Sequence, residues 1–373
     1  MIIQSEWRVI IIKKRVTDLI KMLAIAVCLI CIYKIGNGRD SKSGTDERII
    51  SDTQYSDGSA TTYDFSMGTS VVINLYGNDL DNSDYSSELM ERINYLDDEL
   101  ISWRNDSSEL YEVNNNYKKD VPYGISDELY NVLDMSLAVC RDSEGALDIS
   151  IRPLAKVWNI EEADSESFTI PTDKDIDKAL EYVGYENITL EDGTVTMSKD
   201  NMTLDLGSVG KGYALDVVRD YLKDTDVDGA VVSVGGSVLV YGSKASGKDW
   251  HIGIRNPKGD ASDMIGYLTI QEGADICVST SGDYEKYFMV DGKRYHHILD
   301  RHTGYPAYQG LSSVTVVCEN GLYSDALSTA CFSLGYEKSL ALLEKYNAEA
   351  IFIDYDNNVT VTDGLKEMYS KSE

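Results

Sequence analysis

The sequence predicts an α/β chain of the α+β kind: a mixed, largely antiparallel sheet with helices packed on it. Three observations carry that expectation. Strand-length runs rich in β-branched residues end in glycine, as in residues 67–77 (MGTSVVINLYG). Between such runs lie segments whose apolar residues recur at helical spacing. In the second half strand and helix candidates alternate, and two strand candidates flank Gly235-Gly236, a hairpin signal.

Taken in order, a strand opens at Met67. Residues 86–100 then place Leu89, Ile93, Leu96 and Leu100 on one helical face. Residues 126–140 do the same with Leu129, Val132, Leu133 and Leu137. A short helix is expected over 172–183 on Ile176, Ala179, Leu180 and Val183, with Thr172 or Asp173 near its cap. Residues 202–206 read as a strand and 209–222 as a helix. Strands follow at 229–234, 237–241, 251–255, 265–270, 295–299 and 312–318. Helices at 323–334 and 337–346 and a strand at 350–353 complete the body. There is no internal repeat.

The chain has 373 residues, enough for one large domain or two small ones, and 43% are hydrophobic, enough for a sizeable core. The formal net charge of -29 excludes a nucleic-acid binder, because duplex binding relies on Lys and Arg neutralising phosphates. A bound pyrophosphate would need a local positive device: a metal, a helix N-terminus or a lone lysine. Cys140, Cys277, Cys318 and Cys331 are scattered without metal-like spacing and are expected to be buried free thiols.

The N-terminus reads as an address. Arg8, Lys13, Lys14, Arg15 and Lys21 precede an apolar run over residues 22–33 that contains Cys28 and Cys31. The basic flank puts the N-terminus in the cytosol and the body outside the cell membrane. Neither cysteine follows the small residue usual in a lipoprotein box, so a signal or membrane anchor over 1–35 is favoured. Residues 36–62 read as a flexible Gly/Ser/Asp-rich linker and 63–373 as the folded body.

Three segments carry chemistry. Residues 204–216 (LDLGSVGKGYALD) pass from a strand through a glycine turn into a helix, which aims backbone N–H groups and Lys211 at one point and suits phosphate. Residues 294–306 hold three of the four histidines, His296, His297 and His302. Adjacent residues on a strand face opposite ways, so His296 and His297 are not expected to share a metal. Residues 324–330 (SDALSTA) place Asp325 and Thr329 four apart on one helical face. That pair offers hard oxygens, suited to magnesium rather than zinc, and the competing reading is that Ser324 or Asp325 caps the helix.

Together with MGT (67–69), SWRNDSSELYEVN (102–114), GALDISIRPLAKVW (145–158), VSVGGSV (232–238) and TSGDYEKY (280–287), these segments resemble the ApbE family, the FAD:protein FMN transferases, in family order. The resemblance runs from Met67 to about Asp363. It implies the family's fold and an enzyme that cleaves the pyrophosphate of FAD with magnesium. FMN would be joined by a phosphoester to a Thr or Ser of an acceptor protein, with release of AMP. By position it implies FAD contacts at Met67, Trp103, Ala146, Leu147, Asp148, Gly207 and Ile298. Magnesium would be held by the Gly210 carbonyl, Asp325 and Thr329.

Within that reading Lys211 would stabilise the phosphate oxygens, and His297 and Asp283 are the candidate bases. Trp103 stands where the family often has Tyr and favours transfer over hydrolysis, since an aromatic ring can stack on the isoalloxazine. The alternatives are a magnesium-dependent FAD pyrophosphatase and a non-catalytic flavin-binding surface protein. The expected acceptor is a membrane redox subunit. Residues 57–61 (DGSAT) resemble a shortened acceptor motif, which raises self-flavinylation at Thr61 or Thr62 against the reading of a plain linker.

Overall fold

A computed structural model of the chain describes residues 52–56, 58–163, 168–244 and 246–372. The expected anchor and the start of the linker lie outside the described residues, and so do Cys28 and Cys31. Among the described residues no helix is long and apolar enough to cross a membrane.

The body opens with β1 (Asp52–Ser56), β2 (Ser59–Ser66) and β3 (Thr69–Tyr76), then α1 (Tyr85–Tyr95), which runs into a π turn at Leu96–Leu100. Next come α2 (Glu109–Asn116), β4 (Tyr123–Gly124), α3 (Asp127–Asp142), α4 (Arg152–Trp158) and α5 (Asp173–Leu180). β5 (Ile188–Glu191) and β6 (Thr194–Met197) form a small hairpin before α6 (Gly210–Leu222), β7 (Gly229–Val234) and β8 (Ser237–Gly242). β9 (Trp250–Arg255), β10 (Met264–Ile270), β11 (Ala274–Gly282), β12 (Tyr287–Val290), β13 (Lys293–His296) and β14 (Leu311–Cys318) follow. The chain closes with α7 (Gly321–Leu334), α8 (Tyr336–Lys345), β15 (Glu349–Asp354), β16 (Val359–Val361) and β17 (Tyr369–Lys371).

A nine-stranded sheet in the order β1-β2-β3-β7-β8-β11-β14-β15-β16 forms the centre, and its neighbours all pair antiparallel. This is the mixed, largely antiparallel architecture that the sequence predicts. Strand alternation sends successive residues to opposite layers. Leu239 of β8 packs with Ile73, Leu75 and the α6 residues Leu215 and Val218. Its neighbour Val240 packs with Trp250 and Leu268 of the smaller β17-β10-β9 sheet. The central sheet is thus buried on both faces over β8, β11 and β14, and all eight residues of β14 are buried.

Two expectations need correction. The linker does not extend to residue 62, because β1 and β2 already pair in register from Asp52↔Tyr63 to Ser56↔Ser59. Gly, Ser and Thr there read as linker by composition, yet alternation buries Ala60 and Thr62. Thr62 is 1% exposed and Thr61 donates to Asn74 Oδ1 (2.9 Å), which does not suit either as a flavin acceptor. Residues 202–206 are not a strand. There Asn114 takes the strand neighbour's place, accepting from the Leu204 N–H (2.7 Å) and donating to the Leu204 carbonyl (3.0 Å). The four described cysteines are buried free thiols, as expected.

Candidate active site

One cavity of about 690 Å³ collects the chemistry. Its wall draws on the β2–β3 turn, the loop before α4, the turn that opens α6, strands β9 and β11, the base of the β12–β13 hairpin, and α7. Met67, Trp103, Ala146, Leu147, Asp148, Gly207, Gly210, Lys211, His297, Ile298, Asp325 and Thr329 all line it.

The position of Asp325 follows from a glycine contact. Helices α6 and α7 cross at Gly212 and Gly321, where a Cβ on either residue would overlap the other's carbonyl oxygen. Asp216 of α6 fixes the approach by accepting the Gly321 N–H (2.7 Å) and the Leu322 N–H (2.8 Å). The crossing lays Asp325, 2% exposed, against the start of α6, where its Oδ2 accepts the Gly212 N–H (3.0 Å). Lys211 Nζ lies 3.4 Å from the same oxygen and donates to the Gly207 carbonyl (2.9 Å). The helix start and Lys211 bring backbone N–H groups and one cation to the cavity wall, the kind of local positive device that suits a phosphate. The cap reading of Ser324 or Asp325 does not hold, since the Asn320 side chain caps α7 by accepting from Tyr323 N (2.8 Å).

Thr329 follows one turn later, and its hydroxyl is 3.0 Å from Ser281 Oγ of β11. Asp325 and Thr329 offer two hard side-chain oxygens, one of them a carboxylate, on the cavity wall that Gly210 also lines. That fits magnesium, which commonly takes one or two carboxylates and leaves room for phosphate oxygens. No group of three or more His, Cys, Asp or Glu poised for a metal occurs among the described residues.

The two adjacent histidines separate at the end of β13, which stops at His296. His296 is fully buried between Tyr308 and Phe332, and its Nε2 meets the Ala307 carbonyl at 3.0 Å. His297 faces the cavity, with Nδ1 3.3 Å from the Lys286 carbonyl. Desolvation pushes the His297 pKa down to about 4; Lys286 and Lys211 push the same way and Glu161 opposes them. His302 lies elsewhere, against the Glu144 carbonyl (3.2 Å).

Asp283 does not join the cavity wall. It is 3% exposed, its N–H donates to the Ser312 carbonyl (3.0 Å), and its carboxylate pairs with Arg294 Nη1 at 2.6 Å. Burial raises its pKa and Arg294 opposes the rise. Its role is to hold the β12–β13 hairpin, which corrects the expectation that it is a candidate base. Asp148 also serves the fold, since its carboxylate accepts from Ser150 N (2.8 Å), Tyr185 N (3.0 Å) and Arg301 Nη1 (2.7 Å). Trp103 lies under the Arg152 guanidinium, whose carbon is 3.0 Å from the ring centroid.

Sequence reasoning missed several charged parts of the wall, among them three carboxylates. Glu161 joins Arg104 (2.8 Å) and Lys286 (3.3 Å), and nothing in its local sequence marks it. Asp205 holds the Gly207 N–H (2.9 Å), and burial followed by the nearby Glu161 raises its pKa. It sat in plain view within the 204–216 segment. Asp97 accepts the Met67 N–H at 2.8 Å from thirty residues away.

A model of the ApbE family matches residues 67–352. This chain belongs to the ApbE family. An FAD:protein FMN transferase of Klebsiella pneumoniae (strain 342) is 32% identical over 307 residues, covering 82% of this chain and 92% of the relative. One from Treponema pallidum (strain Nichols) is 33% identical over 260 residues, covering 65% of this chain and 70% of the relative. The crystal structure of the ApbE protein from Thermotoga maritima superposes with a TM-score of 0.75 at 30% identity, over 84% of this chain and 100% of that one. The flavin transferase ApbE from Vibrio cholerae gives a TM-score of 0.72 at 26% identity, over 85% of this chain and 99% of that one. The ApbE fold expected from the motifs is the fold found.

Proposed function

We propose that this ApbE-family protein is a magnesium-dependent FAD:protein FMN transferase. The observation that supports this most is convergence: residues from separate sequence blocks, Met67 to Thr329, line one cavity with a phosphate-suited helix start beside a hard-oxygen pair. The hydroxyl oxygen of an acceptor Ser or Thr attacks the FMN-side phosphorus of FAD. The bond from that phosphorus to the bridging oxygen breaks, AMP leaves, and a phosphoester remains on the acceptor. Asp325, Thr329 and the Gly210 carbonyl would hold magnesium, which when bound neutralises charge on the reacting phosphate. Lys211 and the amides at the start of α6 stabilise the same oxygens. His297, neutral at physiological pH with its pKa near 4, takes the hydroxyl proton.

We place the body outside the cell membrane, tethered by an anchor within residues 1–35, with a membrane redox subunit as acceptor; the basic flank and apolar run of the sequence support this. Incubating the protein with FAD, Mg²⁺ and a candidate acceptor domain should give a fluorescent flavin band on the acceptor in a denaturing gel, plus AMP. Free FMN and AMP with an unlabelled acceptor would instead indicate a pyrophosphatase. Because Trp103 lines the cavity, Trp103→Asn should shift products toward free FMN and AMP; an unchanged product ratio would remove it from that role.

A further inference from the structure

The β2–β3 hairpin turns on only two residues, Met67 and Gly68, and both are left-handed, with φ of 53° and 71°. Such a turn suits Asn-Gly, whose first residue tolerates the left-handed region. A methionine there has no side-chain acceptor to steady the turn and carries the steric cost of a Cβ at positive φ. Something outside the hairpin must hold it. The structure shows what does: the Met67 N–H points away from the hairpin and donates to Asp97 Oδ2 at 2.8 Å.

Asp97 can reach because α1 does not end regularly. Its last turn widens into the π turn Leu96–Leu100, a local irregularity frequent at functional sites. Leu96 and Leu100 are buried and anchor that turn, while Asp97 lines the cavity. From the held turn the Met67 side chain extends over the start of α6, and its Cε would stand 3.3 Å from a Cβ placed on Gly210. Gly210 is the residue whose carbonyl is proposed to hold magnesium.

We propose that Asp97 is a positioning residue: through its bond to the Met67 amide it holds the strained turn so that the Met67 side chain forms the wall over Gly210, where FAD must seat. This rests on the reading of the cavity as an FAD site. Asp97 acts through Met67 and not by touching the substrate.

The test is FAD affinity, read by quenching of flavin fluorescence on the full chain, together with thermal melting. If wild type binds no FAD, the reading of the cavity fails. If wild type binds, Asp97→Ala should weaken FAD by about tenfold, the size expected for one charge-assisted bond. Asp97→Asn keeps an acceptor oxygen and should stay within about threefold. In a Met67→Gly background the turn needs no holding and there is no side chain to place, so adding Asp97→Ala should change affinity less than about twofold. A full tenfold loss in that background would overturn the proposal and make Asp97 a direct contact. So would a folded Asp97→Asn that binds FAD about tenfold more weakly than wild type, a result that does not need the alanine variant to fold.

Discussion

Two parts of the cavity wall are built on different physics. Around Asp325 the wall is made by contact: glycines 212 and 321 let two helices touch, and Asp216 clamps them with two backbone bonds. Around His297 it is made by charge: Glu161 bridges Arg104 and Lys286, all partly exposed, at the base of a two-stranded hairpin held by Asp283 and Arg294. Contact walls tolerate little displacement, because interiors pack like crystals. Partly exposed ion pairs are individually weak and screened, so the second wall can adjust. A metal and a phosphorus need fixed geometry, whereas an arriving protein hydroxyl needs room. The contrast suits the proposed reaction.

The largest effect expected is at the contact wall. Asp325→Asn keeps an oxygen for the Gly212 N–H and so should leave the fold intact, but it removes the single carboxylate of the hard-oxygen set. FMN transfer should fall by about a thousandfold, with the melting temperature within a few degrees of wild type. Near-normal transfer at saturating Mg²⁺ would move the metal elsewhere. Next, Gly212→Ala drives a methyl into the Gly321 carbonyl and against the Asp325 Cβ, neither of which is the free end of a flexible side chain. Unfolding in urea should show a loss of about 3 kcal/mol, the upper range for overpacking. A loss under about 1 kcal/mol, the lower end of that range, would show that the crossing is soft and that the two walls differ less than their contacts suggest.

The charge wall predicts a smaller and cleaner defect. His297→Asn should leave FAD affinity unchanged and lower transfer by about a hundredfold, the usual contribution of a general base. Equal loss of both would count against a base and make His297 a binding residue.

Much of this was legible because it was local. The Gly235-Gly236 hairpin, the amphipathic helices and the Asp325/Thr329 spacing all depend on short-range periodicity, and the structure keeps them. β1 and β2 were hidden because their composition resembles a linker, and pairing in the sheet outweighed propensity. Asp283 misled because it lies in a motif rich in functional residue types while its charge is balanced by Arg294, eleven residues on. Glu161 and Asp97 matter through partners 57, 125 and 30 positions away, and no sequence pattern encodes those distances.

The smallest effect expected separates the two adjacent histidines. Burial pushes the His296 pKa down to about 3, with His297 and Arg294 adding to the shift, and its Nδ1 has no hydrogen-bond partner among the described residues. A proton added there would place a charge beside Phe332 and Tyr308 with no acceptor for the new N–H. In the unfolded chain the same ring titrates near 6.5, so between those values the unfolded state binds more protons. Stability is therefore full above about pH 6.5 and declines as pH falls toward about 3. Between about pH 7 and pH 5 this one residue should remove about 2 kcal/mol. His296→Phe keeps a ring of similar size against Phe332 and cannot titrate. It should be less stable than wild type at about pH 7, because the Ala307 carbonyl loses its donor, yet its stability should fall less steeply on acidification. Urea midpoints at the two pH values read the difference in slope. Parallel acid limbs for wild type and His296→Phe would mean that the buried histidine does not carry the acid sensitivity, leaving the cavity-facing His297 as the group to examine.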